Sequence, residues 1–376
     1  MILLQLMWVK IMNIEDKKLL FSIINAGLKN ERVDLSSLNE DSSLMKIIKE
    51  QTFQPFLYYV SSDSRFKKYY LASYLLIEKF EKLKDLIKKL FDENSIDHIF
   101  LKGTELRYLF PDKNLRLSGD IDVLVRKKDY KKAKEILKNN AFIFDDECEH
   151  HAGFKINGVE IELHRLLLPH TDEFAPYFVD AFNHAHIKDK HTYEFENEYN
   201  FCYILAHYIK HLYKGAGLRE LCDVYVMLDK LDIDMNKVKP FLKEYDLEKF
   251  FNTLLNQLNI LFDYNAIPFE DNPSAYKLID FSLDSGIHGN GEKGDQLINL
   301  QRNISKNSKF KFLLSKLFIP IRSLFVLYPW TKSIILIPFG YFVRLLHLLF
   351  NRRRQLKHII NSDKFESDNL FEEVGL

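Results

Sequence analysis

The sequence predicts an α+β protein, a small mixed sheet embedded between mostly helical N- and C-terminal regions. Three observations carry this. Leu76, Phe80, Leu83, Ile87 and Leu90 recur at spacings of 4, 3, 4 and 3, one apolar face of a helix. Residues 96–166 carry short apolar runs and a period-two alternation about Asn157-Gly158, a strong hairpin-turn signal. From 174 to 285 the pattern is helical again.

Taken in order, residues 13–92 read as helical, and Asn94 and Ser95 break the pattern. Ile96 to Leu101 reads as a short buried strand ending at Lys102-Gly103, and Thr104 to Phe110 as a short helix stopped by Pro111. A loop at Asp112-Lys113-Asn114 leads to a strand from Ile121 to Val125. An amphipathic helix follows from Asp129, with Tyr130, Ala133, Ile136 and Leu137 on one side. Strands at Phe154 to Ile156 and Val159 to Leu166 complete an α-β-α-β-α-β-β unit. Asp284 to Gly294, polar and rich in glycine, reads as a linker. The expected divisions are a helical region at 1–95, an α/β core at 96–180, a helical region at 181–285 and a basic apolar region at 296–362.

Composition fits a globular chain: 376 residues, 47% apolar and 28% charged, with 31 Phe and 19 Tyr to fill aromatic-rich cores. Cys148, Cys202 and Cys222 are an odd number with no Cys-x-x-Cys pair, which argues against a disulfide framework and for the cytoplasm. The first eleven residues lack a basic n-region and a small-residue cleavage site, so no signal peptide is read, and Met12 begins a more ordinary cytosolic start. A formal net charge of zero hides an asymmetry: Gln296 to Asn361 holds 12 Lys and Arg and no Asp or Glu. That region calls for an anionic partner. Two are open for residues 310–358: peripheral contact with an anionic membrane, or substrate phosphates met by a packed subdomain. Nucleic acid is not indicated, since no RNA-binding signature or zinc finger is present. No uncharged run reaches the roughly 20 residues of a spanning helix, and Pro320, Pro329 and Pro338 are expected to cut any helix there into short pieces.

The chemistry concentrates in acids. Asp120 and Asp122 lie two apart at the mouth of a strand, so both side chains share a face while Ile121, Val123 and Val125 take the other. Two adjacent carboxylates repel each other, and holding both ionised calls for a cation, with hard oxygen ligands suiting Mg²⁺. Val159 to His164 alternates in the same way, with Glu160, Glu162 and His164 on one face. A neighbouring strand can bring Glu162 to the pair, and three carboxylates can hold two ions. An Asp-x-Asp pair alone is a weak motif, and alternating acids are usually a strand's solvent face. Their combination with a preceding strand-to-helix turn at Lys102-Gly103-Thr104, a place suited to phosphate, is stronger. Arg116 and Ser118 precede the acids and are further phosphate candidates.

Leu101-Lys102-Gly103, the run Arg116-Leu117-Ser118-Gly119-Asp120-Ile121-Asp122-Val123-Leu124-Val125 and Glu160-Ile161-Glu162-Leu163-His164 together resemble the DNA polymerase β-like nucleotidyltransferase superfamily. More narrowly they are similar to a group of bacterial nucleotidyltransferase family proteins, the NTP_transf_5 type. A helix bearing His207 and His211, then Leu218-Arg219 and Asp223, extends the likeness over roughly residues 70–285. The resemblance implies a nucleotidyltransferase core in which Asp120, Asp122 and Glu162 are the metal ligands and Gly103-Thr104 stands at the superfamily's Gly-Ser turn. It implies attack by an acceptor hydroxyl on the α-phosphate of an NTP, with pyrophosphate leaving and Glu162 placed to take the proton. Two departures stand out: Thr104 replaces Ser, and Asp120 follows Gly103 by 17 positions, more than is usual. The competing expectation is a non-catalytic nucleotide-binding or membrane-associated module on the same fold.

Two further groups stand out. His207 and His211, with Cys202 near, have a spacing that can serve zinc but lack a clear third ligand, so lining of the cleft or a bond to Asp223 is expected. Cys148-Glu149-His150-His151 invites a metal reading, yet adjacent ligands on a loop seldom converge, and only His151 is expected near the site.

Overall fold

A computed structural model describes residues 12–170, 172–213, 215–265, 272–286, 328–351 and 366–376, with Phe318, Ile321 and Leu324 singly. The start at 1–11 and most of the basic stretch at 296–362 therefore lie outside the described residues.

Among the described residues the N-terminal region holds four α-helices: α1 (Ile14–Lys29), α2 (Ser43–Glu50), α3 (Gln54–Ser61) and α4 (Lys67–Glu93). Side chains set the first two starts, Asn13 accepting from Asp16 N–H and Ser42 from Met45 N–H. The apolar stripe of α4 runs Ser73, Ile77, Phe80, Leu83, Ile87 and Leu90, all buried. Leu76, expected on that stripe, is 36% exposed, because the helix turns its neighbour Ile77 inward instead.

Then come β1 (His98–Phe100), α5 (Gly103–Leu106) running into a 3₁₀ turn, β2 (Asp120–Val125), α6 (Tyr130–Asn139) and β3 (Ile143–Glu147). Strands β4 (His151–Ile156), β5 (Val159–His164), β6 (Ala185–Asp189) and β7 (Thr192–Phe195) follow. Asn157 and Gly158 both take positive φ, +51° and +75°, at the tight turn between β4 and β5. Among the described residues that follow, the α-helices are α7 (Asn197–Leu212), α8 (Leu218–Lys230), α9 (Met235–Glu244), α10 (Glu248–Phe262), α11 (Pro273–Ser285), α12 (Ile337–Asn351) and α13 (Glu366–Val374).

The seven strands of the described residues form one mixed sheet in the order β3-β4-β5-β2-β1-β7-β6. Pairs β2–β5 and β1–β7 are parallel and the others antiparallel. The α+β class and its flanking helical regions are thus as expected, but the sheet is wider. The helical reading of 174–285 is overturned at its start, where β6 and β7 extend the sheet. Their signal is faint because β6 is an edge strand bearing His186, Lys188 and Asp189 outward, with Ile187 itself 61% exposed. Edge strand β3 was hidden for the same reason, with four exposed residues. Asp284 and Ser285, read as the start of a linker, lie in α11 instead, and Gly286, at φ +62°, follows its end; the remainder of that reading, 287–294, lies outside the described residues. Proline does not fragment α12, which runs 15 residues with Pro338 in its first turn, where no N–H is needed. Among the described residues no helix is long and apolar enough to cross a membrane. Phe339, Phe342, Val343, Leu345 and Leu346 on α12 are exposed.

Two cores flank the sheet. Ile121, Val123 and Val125 of β2 join Ile161 and Leu163 of β5 against α4 and α6. Leu124, on the opposite face, belongs to the larger core built by the helical regions. Each such side chain contributes about 1.5–3 kcal/mol on burial, which fixes the side to which each strand turns its alternate residues. Asp120 and Asp122 share Leu124's face, so they look toward α7 and α8.

The new hairpin is locked to β1 by His98, opposite Thr192 and fully buried. Its Nδ1–H donates to Ile96 O at 3.0 Å and its Nε2 accepts from Thr192 Oγ1 at 3.1 Å, the pattern of a neutral ring. Burial lowers its pKa from 6.5. Unfolded, the ring takes up a proton near 6.5, so its contribution is complete above that value and is lost progressively as the pH falls below it. The urea midpoint is expected to fall between pH 7.5 and 5.5, and less steeply in His98→Gln. An equal slope in both proteins removes His98 from the account.

Candidate functional site

The site is assembled by the parallel pairing of β2 and β5. Their register sets Asp120 beside Glu160 and Asp122 beside Glu162. Like charges on facing positions destabilise a sheet, yet here Asp120 and Glu162 are half-buried and Asp122 is buried, and only Glu160 is exposed. One carboxylate oxygen each from Asp120, Asp122 and Glu162 lies within 4.8 Å of the others, a group able to hold a metal ion. Glu160 shares the strand face but turns to Lys155 at 3.5 Å and stays outside the group.

Cationic partners surround Asp122. Lys102 Nζ donates to its Oδ1 at 2.8 Å, and His164 Nε2 donates to the same oxygen at 2.9 Å and to Glu162 Oε2 at 3.1 Å. With Nδ1 3.4 Å from Leu166 O, both ring nitrogens of His164 face acceptors, the pattern of an imidazolium. Burial works to raise the Asp122 carboxyl, but Lys102 and His164 overcome it and hold it well below the carboxylate range. Glu162 is likewise lowered against burial, chiefly by His164. Asp120 moves the other way, pushed up to about 6 by the Asp122 charge and by burial. Lys102 itself sits at φ +50°, ψ −131°, a conformation rare outside glycine that costs on the order of 1–3 kcal/mol. The strain is held in place by the turn from β1 into α5.

Beside this turn, Gly103 serves as a space rather than a hinge. A Cβ there would lie 2.3 Å from Ser118 Oγ and 3.2 Å from Arg116 Nη1, so any larger residue displaces the side chains that the loop before β2 packs over the turn. Among the described residues, Ser118 Oγ and Thr104 Oγ1 are buried without a hydrogen-bond partner. Ser118 lines a cavity of about 360 Å³ with Lys102, Gly103, Asp120, Asp122 and Glu162, and Thr104 stands one residue beyond that turn. Arg116, expected as a phosphate contact, lines the same cavity and is also ion-paired. Its Nε and Nη2 each donate to Asp223 at 2.7 Å, so the guanidinium fastens this loop to α8.

His207 and His211 do line the cavity, from α7. Asp223 is taken by Arg116, so the expected bond from these histidines to Asp223 is replaced by a contact between the rings at 4.2 Å. Burial keeps His207 far below its ordinary pKa and hence neutral. Sequence reasoning missed Lys210, Glu220 and Tyr203. The first two line the cavity, and Tyr203 has a buried hydroxyl without a partner among the described residues. The signal was available only in part: Tyr203, His207 and Lys210 lie at helical spacings of 4 and 3 on α7. Cys148, His150 and His151, expected not to converge, do so: Cys148 Sγ is 3.3 Å from His150 Nδ1, and His150 Nε2 is 3.1 Å from His151 Nδ1.

No curated protein and no solved structure matches the chain. A family model described as uncharacterised nucleotidyltransferase matches residues 61–263, which run from the end of α3 to the end of α10 and take in the whole sheet and every cavity residue named above. That span is more than half of the 376 residues, and the chain belongs to this nucleotidyltransferase family.

Proposed function

We propose that the protein transfers a nucleotidyl group from an NTP to an acceptor hydroxyl, in the manner of the DNA polymerase β-like enzymes. The observation that carries this is the in-register pairing of Asp122 with Glu162, which turns three acids from two strands into one group beside a strand-to-helix turn. Asp120, Asp122 and Glu162 are the residues that would hold Mg²⁺, two ions for three carboxylates. The chemistry Mg²⁺ supplies at such a group is polarisation of phosphoryl oxygens and easier ionisation of a hydroxyl. The chain does the rest. Lys102 and His164 keep Asp122 and Glu162 ionised and ready to bind a cation. The hydroxyls of Ser118 and Thr104 are unspent donors that support a place for phosphate at the Gly103 turn. Arg116 holds the loop that carries Ser118 to Asp120. In the reaction the acceptor oxygen bonds to the α-phosphorus and the α–β bridging bond breaks. Pyrophosphate then leaves, and the hydroxyl proton passes to Glu162.

A non-catalytic module on the same fold needs no convergence of the three acids, and their convergence speaks for the enzyme. The test is incubation of the protein with each NTP, labelled at the α-phosphate, with Mg²⁺ and a cell extract. Label is expected in an acceptor and pyrophosphate in solution, with neither in Asp122→Asn. Absence of Mg²⁺-dependent NTP binding removes the basis of the proposal.

A further inference from the structure

Behind the acids lies a second group of quite different chemistry. Cys148, His150 and His151 each offer a ligand atom, and these atoms lie within 4.8 Å of one another. The loop that carries them is fixed by its own backbone and by one arginine. Cys148 N–H donates to His151 O at 2.9 Å, and Arg165 N–H donates to His150 O at 2.9 Å. The Arg165 guanidinium adds bonds to Glu149 O at 2.8 Å and Cys148 O at 2.9 Å. This explains how near neighbours in sequence converge: β3 and β4 close a hairpin over Arg165, and the loop curls so that thiol and rings point together.

We propose that Cys148, His150 and His151 bind a zinc-type transition-metal ion at a site separate from the Mg²⁺ acids. Donor chemistry separates the two. Thiolate and imidazole are borderline-to-soft ligands that select Zn²⁺ and its neighbours, whereas three carboxylates suit Mg²⁺. Zn–S near 2.3 Å and Zn–N near 2.0–2.1 Å put the edges of a tetrahedron at roughly 3.3–3.6 Å. The Sγ to Nδ1 distance of 3.3 Å between Cys148 and His150 is of that size. His150 can give only one of its nitrogens to one ion, so the ring or its neighbour shifts on binding. Three protein ligands leave a position over, the pattern of zinc sites that take a further ligand from solution or substrate. His150 and His151 line the same cavity as the acids. His151 Nδ1 is also 3.6 Å from Glu162 Oε2, so an ion here would lie beside the residue that receives the acceptor's proton. The metal inference stands on the cluster alone and goes beyond the transferase reading, which can fail without affecting it.

Cobalt is the probe, because Co²⁺ bound to thiolate and imidazole gives visible d–d bands and a near-ultraviolet sulfur-to-metal band. The full chain is titrated with Co²⁺, then with Zn²⁺, in millimolar Mg²⁺. One equivalent of Co²⁺ is expected to bind with both signatures and to be displaced by Zn²⁺ but not by excess Mg²⁺. Cys148→Ser is expected to lose the sulfur band and weaken binding by about 10–100-fold, and His150→Gln to weaken it similarly. Asp120→Asn is expected to keep the full spectrum. Absence of a sulfur band overturns the site, as does a band that survives Cys148→Ser. A spectrum lost in Asp120→Asn but intact in Cys148→Ser would place the ion on the acids and overturn it equally. Cys148→Ala, judged by its circular dichroism beside Cys148→Ser, separates loss of a ligand from loss of the fold.

Discussion

Asp120→Asn is expected to abolish nucleotidyl transfer while making the protein more stable in EDTA. The two effects have one cause. The Asp120 carboxyl is held up at about 6 by the charge of Asp122 and by burial, so at neutral pH its ionised form is opposed by its surroundings. A raised acid pKa means that the folded chain binds the proton more tightly than the unfolded one between about pH 4 and 6. Stability is therefore lost as pH rises through that window, and the penalty is complete above it. Asn removes the charge. The gain is on the order of 1–3 kcal/mol at pH 7.5 and nothing below about pH 4. Asp122→Asn acts in the opposite direction, since it strips Lys102 and His164 of a shared buried anion, a loss of about 3 kcal/mol. Both variants are expected to lose roughly 10³-fold or more in transfer rate, the scale of several kcal/mol of charge stabilisation. Denaturant melts in EDTA at pH 7.5 and pH 4, repeated in Mg²⁺, check this. Mg²⁺ should raise the midpoint of the wild type and leave Asp120→Asn nearly unmoved. An Asp120→Asn protein that is active, or less stable than wild type in EDTA, sinks the assignment.

That pattern also shows how much of the site could be read from the chain. Alternation alone put Asp120 and Asp122 on one face of a strand, and Glu162 and His164 on one face of another, because period-two geometry is local and the apolar residues between them must enter a core. The register that sets Asp122 beside Glu162 is not local. It depends on a parallel pairing across some 40 residues, for which neither strand carries a signal. The roles of cations were the least legible. Lys102 and Arg116 both looked like phosphate contacts, yet the first bonds to Asp122 and the second to Asp223, 107 positions away. Which anion a lysine or arginine meets is decided by tertiary packing, and sequence gives only the charge. The same limit hid β6 and β7, whose short polar edge has no periodicity strong enough to displace a helical reading, and the convergence at Cys148, which depends on how one loop curls over Arg165.

Arg116 and Asp223 carry the other large expected effect. The pair is bidentate, with side chains 8% and 6% exposed, and it fastens the loop before β2 to α8. Removing one partner leaves the other charge buried and alone, so Asp223→Ala is expected to cost about 3–5 kcal/mol. Replacing both by apolar residues of similar size, Arg116→Met with Asp223→Leu, should cost less than Asp223→Ala alone, because no charge is then stranded. Arg116→Lys should not restore the wild-type value, since an ammonium cannot make two parallel bonds to one carboxylate. Urea melts of the three variants give the order directly, and a wild-type midpoint for Asp223→Ala removes the pair as an anchor. Kinetics separate anchoring from substrate contact. If Arg116 only fastens the loop, Asp223 and Arg116 variants that remain folded should lose NTP affinity together, because Ser118 and Asp120 shift in both. A loss confined to the Arg116 variants would instead mean that the guanidinium leaves Asp223 to meet the triphosphate, and the salt bridge would then be its resting position.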